Sequence, residues 1–336
     1  MSGVQTLTVA PEDAEIRLDR WFKRHFPTLG HGRLEKLLRT GQIRLDGKRV
    51  DAGDRVTTGQ RIRVPPLPAA PPPDARPHTL PPPTTADARL LQERVLYRDD
   101  ELIVIDKPEG LAVQGGTGTS RHLDGLLDAL RFDAKERPRL VHRLDKDTSG
   151  VLVLARSARA AARLGEVFRR KIAGKVYWAI TVGAPKPRQG KIDQPLAKQA
   201  GPAGERVAAD DEEGDRALTY YRTVARAADR FAWLALEPVT GRTHQLRVHC
   251  LALGTPILGD GKYGAAAAHP ASLPQAKKLH LHARAIALPL ASGKILTVTA
   301  PLPPHMRTSW EFFGFEEASE RDPFAGLVPS GHKAAR

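Results

Sequence analysis

The chain has 336 residues, 41% hydrophobic and 27% charged, with a formal net charge of +14. That suits two or three domains with well-buried cores; no apolar run is long enough to span a bilayer, and the single cysteine, Cys250, leaves no intramolecular disulfide and no cysteine-rich zinc site. The N-terminus shows no basic stretch followed by an apolar core, so a reduced, cytoplasmic protein with no membrane partner is expected, and the positive excess favours polyanions.

In chain order, IRLDRWFKRHF predicts a helix whose apolar face is shared or bordered by Ile16, Trp21, Phe22 and Phe26. HGRLEKLLRTG predicts a second helix, with Leu34, Leu37 and Leu38 at helical spacing and Gly41 at its stop. QIRLDGKRV reads as two short strands around an Asp46-Gly47 turn. Residues 15–64 hold 13 Lys and Arg against 6 Asp and Glu, half of the whole chain's excess. Arg33, Lys36 and Arg39 recur at i, i+3 and i+6, away from the leucines. A solvated face would suffice for them, but the basic run continues into Arg44, Lys48 and Arg49, which favours a phosphate-binding face.

Ten prolines between Pro65 and Pro83 predict an extended linker, placed at 65–92. Beyond it, ELIVIDKP predicts a buried strand stopped by Lys107-Pro108. LVHRLD and GVLVLAR predict two strands, and a helix capped by Ser157 follows with Ala161, Leu164, Val167 and Phe168 as its apolar stripe. KVYWAITVG, ALTYYRTVA, FAWLALEPV, LHLHARAIALPL and KILTVTAP predict further strands, and RTHQLRVHCLAL a helix. Strands neighbouring strands favour an α+β fold on a mixed, mainly antiparallel sheet. Residues 314–336 are expected to form a flexible tail.

HRLDKDTSG, residues 142–150, carries the first chemical question. From Asp145 it matches the first half of an EF-hand calcium loop, but the twelfth position is Arg156 and the flanks read as strands. A plain turn and a catalytic aspartate remain open. In an extended strand Arg143 shares a face with Asp145, and a neighbouring guanidinium favours an ionised carboxylate. In VTGRTHQLRVH, Thr240-Gly241 turns into a helix with Arg242 at its start, where it can face a carboxylate or phosphate; Arg247 reads as surface charge. Lys175 and Tyr177 share a strand face. The Asp210-Asp211-Glu212-Glu213 run reads as a solvated turn, His280 and His282 as sheet packing or RNA contact rather than a metal pair, and Cys250 as buried and inert.

The helix-helix-hairpin order of residues 15–64 resembles the S4 RNA-binding domain. HRLDKDTSGVLVLAR, KVYWAITVG and GRTHQLRVHCLALGTPILGDGKYG, in this order, resemble the RluA-type family of RNA pseudouridine synthases over residues 93–313. DTSG after HRLD, with AVQGGTGTS at 112–120, looks most like the RluC branch, which modifies 23S ribosomal RNA; RluD-type enzymes share the architecture. The resemblance implies a pseudouridine-synthase catalytic domain behind a small S4-like α/β domain. It implies that Asp145 is the catalytic aspartate, Arg242 the arginine that pairs with it, and Tyr177 the tyrosine under the base. It further implies that Leu246 packs beside the site and that Arg143 holds the flipped nucleotide's place or its phosphate. It implies no cofactor and no metal, and ribosomal RNA as the partner of a monomeric enzyme. Whether Asp145 attacks the sugar or removes a ribose proton stays open. The competing readings are a synthase for transfer RNA and a non-catalytic ribosome-assembly protein.

Overall fold

The computed structural model describes residues 3–27, 29–67, 83–115, 121–201, 204–270, 273–317 and 324. The chain divides into two compact units, 1–79 and 80–336.

In the first unit, β1 (Gln5–Thr8), α1 (Leu18–His25), α2 (His31–Arg39), β2 (Arg44–Leu45) and β3 (Arg61–Val64) follow in order. The strands form an antiparallel sheet in the order β1-β3-β2. Leu18, Trp21 and Phe22 of α1 meet Leu34, Leu37 and Leu38 of α2 over Ile43, Ile62 and Val64, all buried. The apolar spacing therefore buries the faces it predicts. Asp46 and Gly47 both have positive φ, and Leu45 and Lys48 exchange backbone hydrogen bonds, as a tight hairpin turn requires. The expected second hairpin strand does not continue; β2 pairs with β3 instead. The unit also starts before residue 15, because β1 pairs along β3.

The second unit begins earlier than the linker at 65–92 allows. Thr84 caps α3 (Thr85–Gln92) through a capping box with Asp87, and Leu91 is fully buried against Ile103 and Leu127. Residues 68–82 lie outside the described residues. There follow β4 (Val95–Arg98), β5 (Leu102–Lys107), α4 (Leu123–Leu126), β6 (Arg139–Leu140), β7 (Ser149–Ala155), α5 (Ala158–Arg169), β8 (Gly174–Val182) and β9 (Gln189–Asp193). Next come β10 (Leu196–Gly201), β11 (Gly204–Ala209), β12 (Leu218–Ala227), β13 (Phe231–Pro238), α6 (Gln245–Ala252), β14 (Leu281–Pro289), β15 (Ile295–Thr299) and α7 (Pro304–Phe313). The main sheet runs β4-β5-β7-β14-β8-β13-β12-β9, with β15 on β14 and β6 on β7; β10 and β11 form a separate hairpin. Among the described strands only β7 and β14 pair in parallel, so the fold is α+β on a mixed, mainly antiparallel sheet.

The apolar runs of β5 and β7 follow from burial on both faces. Ile103, Ile105, Leu152 and Leu154 face α3 and α4, while Leu102, Val104, Val151 and Val153 face Leu164 and Val167 of α5. Each such side chain contributes about 1.5–3 kcal/mol. Ser157 caps α5 by accepting the Ala160 N–H at 3.1 Å. The tail is not free from residue 314 onward. After α7, Phe315 is buried beside Trp233 and Trp310, and Phe324 is buried beside Ala235. Residues 318–323 and 325–336 lie outside the described residues, as do residues 116–120 of AVQGGTGTS.

Candidate active site

Residues 141–148 are not a strand. β6 ends at Leu140, and the Val153 N–H of β7 donates to His142 Nε2 at 2.8 Å. A side chain thus takes the place of the next ladder carbonyl. The His142 ring stacks on Phe168 at 4.4 Å, and burial pushes its pKa down to about 3, so it is neutral and able to accept. The chain past His142 becomes a loop. Leu144 is buried, Asp145 half-buried and Arg143 exposed, so the predicted common strand face of Arg143 and Asp145 does not form.

Two groups hold this loop. Thr148 N–H donates to the Asp145 carbonyl at 3.2 Å, closing a turn. Lys107, with no solvent exposure, donates through Nζ to the carbonyls of Pro108 at 2.8 Å, Leu111 at 2.9 Å and Lys146 at 3.0 Å. Burial pushes the Lys107 pKa down to about 8, opposed by the carboxylates of Asp147 and Asp145. In the sequence Lys107 reads only as a strand stop; a lysine ending a fully buried apolar strand is the signal of this further role. Gly150 fixes the loop's exit. Its φ is +106°, and a Cβ there would lie 2.2 Å from the Ala283 carbonyl oxygen of β14.

Asp145 opens onto a cavity of ≈ 470 Å³, roomy enough for a nucleoside. Tyr177, Lys175, Leu246, Arg143, Arg242 and His244 also line it. Tyr177 sits on β8 opposite Leu236 on one side and Ala283 on the other. Burial first, and the Asp145 charge second, push its pKa above the usual phenol range, so it stays neutral. Burial lowers Lys175 to about 8, against the attraction of Glu237.

The two arginines at and before α6 sit in opposite surroundings. Arg242 precedes the helix by three residues and is exposed; its Nη1 donates to Asp215 Oδ2 at 2.9 Å and its Nε to the Arg216 carbonyl at 3.3 Å. No hydrogen bond or ion pair joins it to Asp145, although both line the cavity. Gln245 shapes the turn by accepting from Thr240 Oγ1 at 2.7 Å and from the Arg242 N–H at 3.0 Å. Arg247 is not surface charge. It is 7% exposed and pairs twice with Asp260, at 2.8 and 2.6 Å, because α6 is sunk into the fold from Gln245 to Cys250.

The remaining candidates are polar packing. His282 Nδ1 meets Ser149 Oγ at 2.9 Å, tying β14 to β7, and His280 Nε2, just before β14, meets Ser309 Oγ of α7 at 2.8 Å. Asp210 Oδ1 accepts the N–H groups of Glu212 and Glu213, closing a turn. Cys250 is fully buried. Among the described residues no group of three or more His, Cys, Asp or Glu is placed to hold a metal, and no helix is long and apolar enough to cross a membrane.

In the first unit Arg33, Lys36, Arg39, Arg44, Lys48 and Arg49 are all exposed. Arg44 donates to the carbonyls of Gly41 at 3.2 Å and Gly47 at 3.0 Å. Arg49 Nε and Arg44 Nη2 lie 3.3 and 3.9 Å from the point where Gly41 would carry a Cβ, so two guanidinium groups converge there.

The RNA pseudouridylate synthase family profile matches residues 101–252, from the entry to β5 to the end of α6. A ribosomal large subunit pseudouridine synthase C of Rickettsia bellii is 35% identical over 296 residues, covering 85% of this chain and 94% of the relative. The chain belongs to the RluA-type family of RNA pseudouridine synthases. This pseudouridine synthase is likewise 34% identical to the mitochondrial RNA pseudouridine synthase 4 of Arabidopsis thaliana, covering 92% of this chain and 82% of that one. The solved human RNA pseudouridylate synthase domain containing 4 superposes with a TM-score of 0.55 at 32% identity, covering 68% of this chain and 95% of that one. The protein is therefore an enzyme, an RNA pseudouridine synthase, and so an isomerase.

Proposed function

We propose that this enzyme converts specific uridines of large-subunit (23S) ribosomal RNA to pseudouridine, with Asp145 as the catalytic aspartate. The observation that carries the reading is the placement of Asp145 on a clamped turn that lines a nucleoside-sized cavity together with Tyr177 and Leu246. The ribosomal target rests on Rickettsia relatives named for the large ribosomal subunit, at about one-third identity over most of the chain.

The target uridine leaves its stack and enters the cavity, with the neutral Tyr177 ring against the base and Leu246 beside it. The C1′–N1 bond breaks, the uracil turns, and a C1′–C5 bond forms; C5 loses its proton and N1 gains one. Attack by Asp145 on C1′ and removal of a ribose proton by Asp145 both use the same ionised carboxylate. Arg143, exposed and lining the cavity, contacts the RNA backbone or fills the vacated stack. Arg242 can leave Asp215 readily, because an exposed pair of this kind contributes only about 0–1 kcal/mol. It then meets Asp145 or an RNA phosphate. The small basic unit, read as an S4-like domain, adds phosphate contacts through Arg33, Lys36, Arg39, Arg44, Lys48 and Arg49.

The test is pseudouridine mapping in ribosomal RNA from cells whose only copy carries Asp145→Asn. Loss of the modification at every site the wild-type enzyme modifies is expected, and the purified variant should be at least about 10³ slower in single turnover. Unchanged modification would sink the reading.

A further inference from the structure

His244 stands where the turn from Arg242 enters α6, with φ 54°, in the left-handed region that a non-glycine residue seldom occupies. Such a backbone costs of order 1 kcal/mol or more and persists where surrounding contacts hold it. Here the contact is a hydrogen bond at 2.7 Å between His244 Nδ1 and the Tyr263 hydroxyl. Tyr263 is buried, and its ring is flanked by the Arg247 guanidinium at 5.0 Å, itself fixed by Asp260.

The hydrogen bonds determine which nitrogen carries the proton. The backbone N–H of Val207 in β11 donates to the Tyr263 oxygen at 3.2 Å. Burial raises the phenol's pKa, so it keeps its own proton. A buried hydroxyl that accepted from both Val207 and His244 would leave that proton without an acceptor. Tyr263 therefore donates to His244 Nδ1. The imidazole is the Nε2–H tautomer, and burial, working against the Asp145 charge, lowers its pKa below the ordinary 6.5 and keeps it neutral near pH 7. The ring lines the cavity beside Asp145, and Nε2 has no hydrogen-bond partner among the described residues.

We propose that His244 is a catalytic residue whose Nε2–H donates a hydrogen bond to a carbonyl oxygen of the target pyrimidine while the C1′–N1 bond breaks. As that bond breaks, its electron pair passes to the base and spreads onto the two carbonyl oxygens. A fixed neutral donor stabilises that charge without giving up its proton. The chain Val207–Tyr263–His244 holds the donor pointed the right way before RNA arrives. The proposal rests on the reading of this cavity as the active site, which Asp145→Asn tests separately: a full-rate Asp145→Asn enzyme would remove that reading whatever the His244 variants do.

The experiment is single-turnover pseudouridine formation on an RNA fragment bearing a modified uridine, with RNA affinity measured in parallel on the full chain. His244→Asn tolerates positive φ and can still accept from Tyr263, but it places no donor at the Nε2 position. It should fold with an unchanged melting temperature, bind RNA within about threefold, and react about 10²–10³ times slower. His244→Gln extends an amide N–H to the Nε2 position and should recover to within about tenfold of wild type. Its pH–rate profile should keep the wild-type shape between about pH 6 and 8, because the proposed donor does not titrate in the reaction. An RNA with sulfur replacing the contacted carbonyl oxygen, a poorer acceptor, should slow wild type and His244→Gln but not His244→Asn. His244→Asn reacting at the wild-type rate would show that the residue only caps the turn. Gln reacting as slowly as Asn, or a limb of the wild-type pH profile missing in Gln, would equally overturn the donor role.

Discussion

In the N-terminal unit, Arg33, Lys36 and Arg39 stand exposed on α2, and the chemistry proposed for them is attraction to phosphate. In the second unit, Asp145 sits on a turn gripped by Lys107, an ammonium with no solvent exposure, and the chemistry proposed for it is a reaction at one atom. The contrast is one of tolerance. Long basic side chains adapt to a backbone of variable shape, and their contributions are screened by salt and roughly interchangeable. A reacting carboxylate gains nothing from adaptability, so its surroundings are buried, hydrogen-bonded and specific to the position. The same contrast recurs within six residues, between the exposed, weakly paired Arg242 and the buried, doubly paired Arg247.

The sharpest break of that comparison is Arg247→Ala. It leaves the Asp260 carboxylate buried without its guanidinium and should cost about 3–5 kcal/mol of stability, measurable by denaturant unfolding. Arg242→Ala, five residues earlier, should leave stability within about 0.5 kcal/mol while slowing pseudouridine formation. Equal losses of stability would mean the two sites do not differ as described.

Lys107→Met should destabilise by about 2–4 kcal/mol at neutral pH, since three carbonyls lose their donor. The wild type carries its own pH signature. Its folded-state pKa, about 8, lies below the ordinary 10.5, so between those values the unfolded chain holds a proton that the folded one has lost. Stability contributed by this group therefore rises with pH across that window, and the wild type should gain on Lys107→Met by about 3 kcal/mol over it. A constant difference between the two proteins from pH 8 to 10.5 would contradict the assignment.

The smallest effects belong to the basic unit. Deleting residues 1–64 should weaken RNA binding by about 10–100-fold at low salt, reduce the salt dependence of binding, and leave the modified positions unchanged. Modification at new uridines would show that the unit selects targets rather than adding affinity.

Asp145, Tyr177 and Leu246 are joined in the sequence only by the family resemblance, since the residues alone leave Asp145 open between a plain turn and a catalytic aspartate; in the structure all three line one cavity. The sequence misjudged the strand before Asp145 because no periodicity reveals that His142 will replace a ladder carbonyl. Arg247 reads as surface charge in the sequence because a helix buried around most of its surface has no polar side to read. α3 was hidden beside the proline run, its packing carried by the single fully buried Leu91. The anchoring of the chain's end rests on isolated aromatics, Phe315 and Phe324, in otherwise polar sequence. His244 gave no pattern at all; its meaning depends on Tyr263 and Val207, which are remote in sequence and adjacent in space.

The short parallel seam between β7 and β14 has a consequence for how the enzyme comes into being. It comprises two rungs, His282 with Ser149 and Ala283 with Gly150, and it joins residues 133 apart in the chain. On its far side Ala283 also pairs with Tyr177. Asp145 hangs from one half of the sheet and Tyr177 from the other, so neither half alone contains a site. Ring closure over so long a segment is slow relative to the local hairpins on either side. Catalytic competence should therefore be among the last properties acquired during refolding and among the first lost under mild denaturant, while most of the backbone signal in circular dichroism persists.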